Sequence, residues 1–442
     1  MNKVRTRAYS VLLLVAIALI GMVLLVVRFV IFGAQWATTQ ERFNETVFRN
    51  GRFIAVGSIT DRNGVILADA EGGRRTFAES AEVRRSTLHA VGDLHHNIGT
   101  GALSVFASEM TSYNLITGSF GITGTGRNLE LTIDSRLNST ALRALDGRRG
   151  VVMVSNYKTG EILCMVSSPT FDPINPPANP GDEEGVFVNR AIQSAYTPGS
   201  TFKLVTAAAA IDTINGIYDR EFECTGELVT SRGTVTCPRV HGRLGIVRGM
   251  QVSCNIVFGE LALELGADIM AEYTKNFSLS ERISVSGIQT AKGNFDKADH
   301  DSADLAWSGV GQYTNTVCPA SMLRFVGAIA NEGVAAELYF VQRSRVLSAL
   351  PPRSERIMNR AAASRLGDMI EVENRQNFPN LEIHAKSGTA QVGGGNDPHA
   401  WYAGYITNEN YPLAFVVIVE NGGGGTAIAA PIANRVLQEA IG

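Results

Sequence analysis

The chain has 442 residues, 45% hydrophobic and 18% charged, which is long for one ordinary domain and suits a folded protein carrying a membrane segment. A formal net charge of -3, with no long basic stripe to track a phosphate backbone, excludes nucleic acid as an expected partner.

The first element is an expected membrane span. Lys3, Arg5 and Arg7 precede an apolar run from Ala8 to Val27 that continues past Arg28 to Phe32, long enough to cross a bilayer. A cleavable signal has a shorter apolar core and a small-residue cleavage site, whereas this run stays bulky through Leu24, Leu25, Val26 and Val27. Residues 1–33 therefore read as a cytoplasmic tip and an uncleaved single-pass anchor. With the basic residues ahead of the run, the amino terminus is expected in the cytoplasm and everything after about Ala34 outside. A buried core helix of a soluble protein is the competing reading of the same run.

Residues 34–130 read as a small β-rich pedestal and linker. Their clearest feature is Gly57 to Ala68, two short strand-like runs around an Asp61-Arg-Asn-Gly64 turn. From His89 to Gly126 the chain is Gly- and Ser-rich without sustained periodicity and is expected to be irregular; no internal repeat is visible. The texture changes at Leu129. Leu129 to Ile133 alternates like a strand, Asp134 can cap a helix through Leu145, and Gly150–Ser155 and Glu161–Val166 bracket a Lys-Thr-Gly turn. At the far end, His399–Tyr405 and Leu413–Glu420 read as strands before a helix from about Pro431 to Ile441. Residues 131–442 are thus expected to be α+β, an antiparallel sheet with helices packed on it, because that arrangement brings strands from both ends together.

Three short motifs carry chemistry. Pro198 and Gly199 mark a turn ahead of an alanine-rich helix, which places Ser200 at a helix start with Lys203 on the same face. A lysine buried against apolar neighbours loses proton affinity and can take the serine proton. Ser253 and Asn255 lie two apart before an apolar helix from Ile256 to Leu265, where a hydroxyl can relay a proton and an amide can hold a peptide group. Lys386, Ser387, Gly388 and Thr389 precede the final strands. They offer a cation, two hydroxyl donors and a close backbone approach at a sheet edge that can pair with an extended peptide and bind its carboxylate. Each motif alone also fits a capped helix or a turn, and the joint occurrence in this order is the stronger signal.

The five cysteines, Cys164, Cys224, Cys237, Cys254 and Cys318, are all expected outside, and an odd count cannot pair completely. Cys224 and Cys237 flank a turn-rich stretch and either remain thiols or close a local disulfide. With His241 they form C-x12-C-x3-H, but a structural metal site needs four ligands and no obvious fourth is nearby, so no metal is assigned. His95 and His96 read as a polar loop pair and His399 as a strand-edge residue.

In the trio, and in Gly57–Gly64, Met165–Pro169, Trp307–Gln312 and His399–Tyr405, the chain resembles the class B penicillin-binding proteins, membrane-anchored peptidoglycan D,D-transpeptidases of bacteria. The likeness covers nearly the whole chain. It departs at Val56, where the family usually has arginine, and at Ala385, where glycine is common. The resemblance implies a transpeptidase domain of the penicillin-binding and serine β-lactamase fold. In it Ser200 is the acylated nucleophile, Lys203 its proton acceptor, Ser253 a proton relay and Asn255 an amide ligand. Lys386, Ser387, Gly388 and Thr389 hold the carboxylate side, and the backbone N–H groups of Ser200 and Thr389 form the oxyanion hole. It further implies stem peptides ending in D-Ala-D-Ala as donors, acylation by β-lactams, no metal or organic cofactor, and a polytopic glycosyltransferase partner in the membrane. A D,D-carboxypeptidase, a β-lactamase and a catalytically silent scaffold for a glycan polymerase are the alternatives.

Overall fold

The computed structural model of the chain describes residues 2–39, 48–49, 52–53, 57–71, 74–111, 113–114, 119–120, 127–176, 183–342, 353–372, 378 and 381–442. Val56, the departure in the pedestal motif, lies outside them. The chain forms two compact units: Met1–Thr60, Ile66–Ala78 and Val91–Leu129 make the first, and Asp61–Val65, Glu79–Ala90 and Glu130–Gly442 the second. Two short pieces of the expected pedestal region thus group with the larger unit.

The first unit opens with a helix over Asn2–Thr39, within which the 25 residues Arg5–Phe29 are exposed and long and apolar enough to cross a membrane. A four-stranded sheet follows, ordered Arg74–Phe77, Ile66–Glu71, Ile59–Thr60, Leu129–Glu130. The expected strand at Leu129–Ile133 is therefore cut to two residues. Part of the stretch expected to be irregular is helical, at Ala102–Val105 and Ala107–Thr111. These helices bury Ala102, Leu103, Ala107 and Met110, but each is too short for a 3.6-residue period to show in sequence. Gly101 and Gly92 approach so closely that a Cβ on Gly101 would lie 2.5 Å from the Gly92 Cα.

In the second unit, the Asp61–Gly64 turn is organised by one carboxylate. Asp61 is fully buried; its Oδ1 accepts from the Asn63 and Val65 N–H groups, both at 2.8 Å, and its Oδ2 from the Ser135 N–H at 3.1 Å and hydroxyl at 2.7 Å. Gly64, at φ +81°, supplies the left-handed corner. Removing the carboxylate leaves four donors without their acceptor, two of them on buried Ser135, so Asp61→Ala is expected to destabilise the protein by about 2–3 kcal/mol, read as a lowered midpoint in denaturant unfolding.

Asp134 caps the helix Ser135–Leu145 as expected, accepting from the Arg136 and Leu137 N–H groups. The main sheet is antiparallel throughout, ordered Ile162–Ser168, Gly150–Asn156, Leu413–Val419, His399–Ile406, Ile383–Ala390. Leu413–Val419 is buried at every residue because both faces are covered. On one face Leu137, Ala141 and Leu145 join Ile432, Ala433, Val436 and Leu437 of the helix Ala430–Ile441 against Val152, Val154, Phe415 and Val417. On the other lies the helix Pro319–Ala330, where Gly327 reaches Ala414. Each buried valine, leucine or isoleucine contributes about 1.5–3 kcal/mol here. The sheet therefore presents the edge strand Ile383–Ala390 as a fixed reference for the chemistry.

Candidate active site

Pro198 and Gly199 lead into a 3-10 turn, Gly199–Phe202, followed by the helix Lys203–Thr213. In a 3-10 turn residues i and i+3 eclipse, which sets Lys203 over Ser200 more directly than an α-helical start would. Three hydrogen bonds fix this turn, two of them from outside it. The Gly199 N–H donates to the Gly311 carbonyl at 2.9 Å, the Trp401 indole N–H donates to the Thr197 carbonyl at 2.9 Å, and the Thr201 hydroxyl donates to the Pro198 carbonyl at 2.8 Å. Gly199 sits at φ +54°, and a Cβ there would lie 2.9 Å from the Thr389 carbonyl oxygen. Only glycine lets the nucleophile's turn lie against the edge strand.

Lys203 is fully buried, and its Nζ is the hub of the first two motifs. It donates to Ser200 Oγ at 3.1 Å, to the Ser253 carbonyl at 2.7 Å and hydroxyl at 3.1 Å, and to Asn255 Oδ1 at 2.8 Å. Burial, and after it the nearby Lys386 charge, hold its ammonium well below the ordinary lysine range. Ser253 adopts the left-handed φ of +56°, uncommon for a residue with a side chain, which turns its hydroxyl into the cleft ahead of the helix Asn255–Asn276. The Asn255 amide also donates to the Thr236 carbonyl at 2.8 Å, leaving its second N–H and a second lone pair for a ligand.

The third motif lies on the edge strand. Along Ile383–Ala390 the residues alternate: Lys386, Gly388 and Ala390 are buried, while Ser387 and Thr389 face the cleft. Lys386 Nζ donates to Ser253 Oγ at 3.0 Å, so the Ser253 hydroxyl lies between two lysine nitrogens. Gly388 lies against the nucleophile's turn, where a Cβ would lie 2.8 Å from the Pro198 carbonyl oxygen. Ala385, the second departure, is matched across the ladder by Gly404, where a Cβ would lie 2.7 Å from Ala385.

Burial lowers Lys386 to about 8. Below that pH the ammonium is charged and above it the charge is lost, so carboxylate capture by the free protein is expected to weaken as pH rises through about 8. Second-order rate constants for acylation by a penicillin, measured from pH 6 to 10, should show this falling limb. A constant that is flat or rising past pH 9 contradicts the assigned role.

All three motifs open on one cleft of about 1040 Å³. Its wall also includes Arg239, Arg248, Trp307, Gln312 and Tyr313, of which only the Trp307–Gln312 segment carried a sequence signal. That segment buttresses from behind: it forms the end of the helix Ala303–Val310 and the left-handed Gly311. His399 opens a central strand and packs edge-to-face on Tyr196 at 5.5 Å. No cysteine is paired among the described residues. The expectation that Cys224, Cys237 and His241 lack a fourth ligand is overturned, because Cys254, between Ser253 and Asn255, joins them with all four ligand atoms within 4.8 Å of one another. Sequence spacing missed it because Cys254 is the N-cap of a helix and the other three come from strand ends.

Comparison with known proteins identifies the domain. Residues 150–438 match the model of the penicillin binding protein transpeptidase domain. Peptidoglycan D,D-transpeptidase PbpA of Mycolicibacterium smegmatis is 27% identical over 359 residues, 72% of this chain and 73% of that protein. Peptidoglycan D,D-transpeptidase MrdA of Escherichia coli is 25% identical over 365 residues, 69% of this chain and 56% of that protein. Among solved structures, the penicillin G acyl-enzyme complex of penicillin-binding protein A from M. tuberculosis superposes with a TM-score of 0.74 at 24% identity, covering 88% of this chain and all of the other, a likeness of fold.

Proposed function

The chain belongs to the penicillin-binding protein transpeptidase family, and from that premise we propose that it is a peptidoglycan D,D-transpeptidase working through an acyl-enzyme on Ser200. The observation that carries the reading is the Lys203 Nζ lying within hydrogen-bond reach of Ser200 Oγ, Ser253 and Asn255 in a buried site. Its neutral form, favoured by that burial, accepts the Ser200 proton as Oγ attacks the penultimate carbonyl of a stem peptide ending in D-Ala-D-Ala. The backbone N–H groups of Ser200 and Thr389 face the developing oxyanion. Ser253, between Lys203 and Lys386, passes the proton to the departing D-Ala amine. Asn255 holds the peptide group, and Lys386, Ser387 and Thr389 hold the carboxylate. The amine of a second stem peptide then attacks the ester and Ser200 recovers its proton. A β-lactam follows the same first step and stalls as the ester.

In this reading residues 1–33 anchor the protein in the cell membrane with the amino terminus inside, residues 34–130 are the pedestal, and residues 131–442 work outside. Lys3, Arg5 and Arg7 ahead of the apolar helix support the orientation. A polytopic glycosyltransferase that supplies the glycan strand is the expected membrane partner.

The test is covalent labelling. The full chain in mild detergent is incubated with a fluorescent penicillin, and the adduct is located and timed by peptide mass spectrometry, with Ser200→Ala as control. A long-lived adduct on Ser200, absent from the variant, is expected, followed by cross-linked product from stem peptides. An adduct lost within seconds would instead indicate a β-lactamase, and no adduct on folded protein a silent scaffold.

A further inference from the structure

Beside the cleft, four side chains converge that the reaction does not use. Cys224 ends the strand Phe222–Cys224, Cys237 follows the strand Gly233–Thr236, His241 precedes the strand Gly242–Leu244, and Cys254 caps the helix Asn255–Asn276. His241 Nδ1 lies 3.5 Å from both Cys224 Sγ and Cys237 Sγ, and Cys237 Sγ lies 4.0 Å from Cys254 Sγ. A tetrahedral zinc ion, with Zn–S of about 2.3 Å and Zn–N of about 2.0–2.1 Å, sets sulfur pairs about 3.8 Å apart and sulfur–nitrogen pairs about 3.5 Å apart. These three spacings lie close to the tetrahedral values, and all four ligand atoms lie within 4.8 Å of one another. A disulfide needs sulfurs at about 2.05 Å, so the 4.0 Å pair is not one.

The chemistry of the set points the same way. Three sulfurs and one imidazole are soft and borderline donors that select zinc over magnesium or calcium. Four protein ligands close the tetrahedron and leave no position for water, which marks a structural site. An outer contact is in place: the Asn255 N–H donates to Cys237 Sγ at 3.4 Å, the bond a thiolate ligand commonly receives. Cys224 and Cys254 are fully buried, while Cys237 and His241 are partly exposed and line the cleft, so the set borders the site directly.

We propose that Cys224, Cys237, His241 and Cys254 bind one zinc ion, and that this ion positions the second catalytic motif. Cys254 is flanked by Ser253 and Asn255, while Thr236, next to Cys237, receives the Asn255 amide at 2.8 Å. A metal that ties the loop after Thr236 to the start of the helix fixes both neighbours and holds Ser253 in its left-handed conformation. The four ligands are positioning residues and touch no reacting atom. The metal site stands independently, and only its positioning effect rests on the roles given above to Ser253 and Asn255.

The test uses the full chain in detergent, purified without chelators, with zinc per chain measured by elemental mass spectrometry and acylation by fluorescent penicillin. One zinc per chain is expected, together with thiolate-to-metal absorption and tetrahedral bands when cobalt(II) replaces zinc. Cys224→Ser should lose the zinc and acylate about tenfold more slowly, since misplacing catalytic groups by about 1 Å can cost up to about 100-fold. Cys224→His, which restores a ligand, should regain both, a rescue that a merely packed cysteine would not show. Wild-type protein without zinc and without a cobalt spectrum, or a Cys224–Cys237 disulfide in its peptide map, overturns the site whether or not the variants fold. Zinc lost with acylation unchanged overturns the positioning effect. Zinc bound by a protein that no penicillin acylates would sink the catalytic reading and leave the metal site standing.

Discussion

Replacing Lys203 by alanine is expected to slow acylation of Ser200 by about 10²–10⁴-fold, the usual contribution of a positioned general base. The buried amine is the group placed to take the Ser200 proton, at 3.1 Å from Oγ, and burial favours the neutral form that can do so. Lys203→Arg should be nearly as slow, because guanidinium stays protonated and cannot accept a proton. Stopped-flow acylation with a fluorescent penicillin measures this, with thermal unfolding as the control for structure. The truncation also leaves the Ser253 carbonyl and Asn255 Oδ1 without their shared donor, so some loss of stability accompanies it. The assignment of Lys203 as base fails if both variants acylate at the wild-type rate. Partial rescue of Lys203→Ala by a small alkylamine would show that the missing element is a proton acceptor rather than a packing group.

The second large effect is expected at a residue outside the three motifs. Gly311 sits at φ +88°, and a Cβ there would lie 2.0 Å from the Gly199 carbonyl oxygen and 2.6 Å from Phe202 Cβ. Both contacts are rigid: one is backbone and the other is the root of a fully buried side chain. Gly311→Ala therefore has to push back the turn that carries Ser200, breaking the 2.9 Å bond from the Gly199 N–H to the Gly311 carbonyl. A shift of about 1 Å in a catalytic group can cost about 100-fold, so acylation should fall by about that factor. The left-handed backbone adds about 1–2 kcal/mol of destabilisation. Gly216, also left-handed at φ +70° but with no atom within 4 Å of its Cβ position, is the control. Gly216→Ala should carry the backbone cost alone and acylate normally. Equal acylation by both variants would show that the nucleophile's turn does not depend on this contact.

Much of the architecture was legible because it rests on local signals. The apolar run after Arg7, the Asp134 cap, the two hairpin strands from Gly150 and the strand–helix ending each follow from periodicity or capping within a dozen residues. The small helices between Ala102 and Thr111 were not legible, because a helix of four or five residues has no period to read. In the site, order and spacing singled out Ser200, Lys203, Ser253, Asn255 and the Lys386–Thr389 strand; Ser200, Ser253, Asn255, Ser387 and Thr389 line one cleft, and both lysines bond to Ser253 there. At Gly388 the neighbour that excludes a side chain is the Pro198 carbonyl, a contact across the fold that no local rule encodes.

By itself, then, the sequence determined which side chains are available and on what kind of element each sits, because capping, turn chemistry and hydrophobic period act over a few residues. Only the tertiary structure decided which of them meet. Lys203 reaches Ser253, Lys386 reaches Ser253 and Gly199 meets Gly311 across separations that no local rule encodes. The same holds for the cysteines. Cys224, Cys237 and His241 lie close enough in the chain to be seen together, but the ligand that completes them sits inside a catalytic motif. Folding the strand pairs against the helix Asn255–Asn276 is what brings the fourth donor within 4.8 Å of the other three.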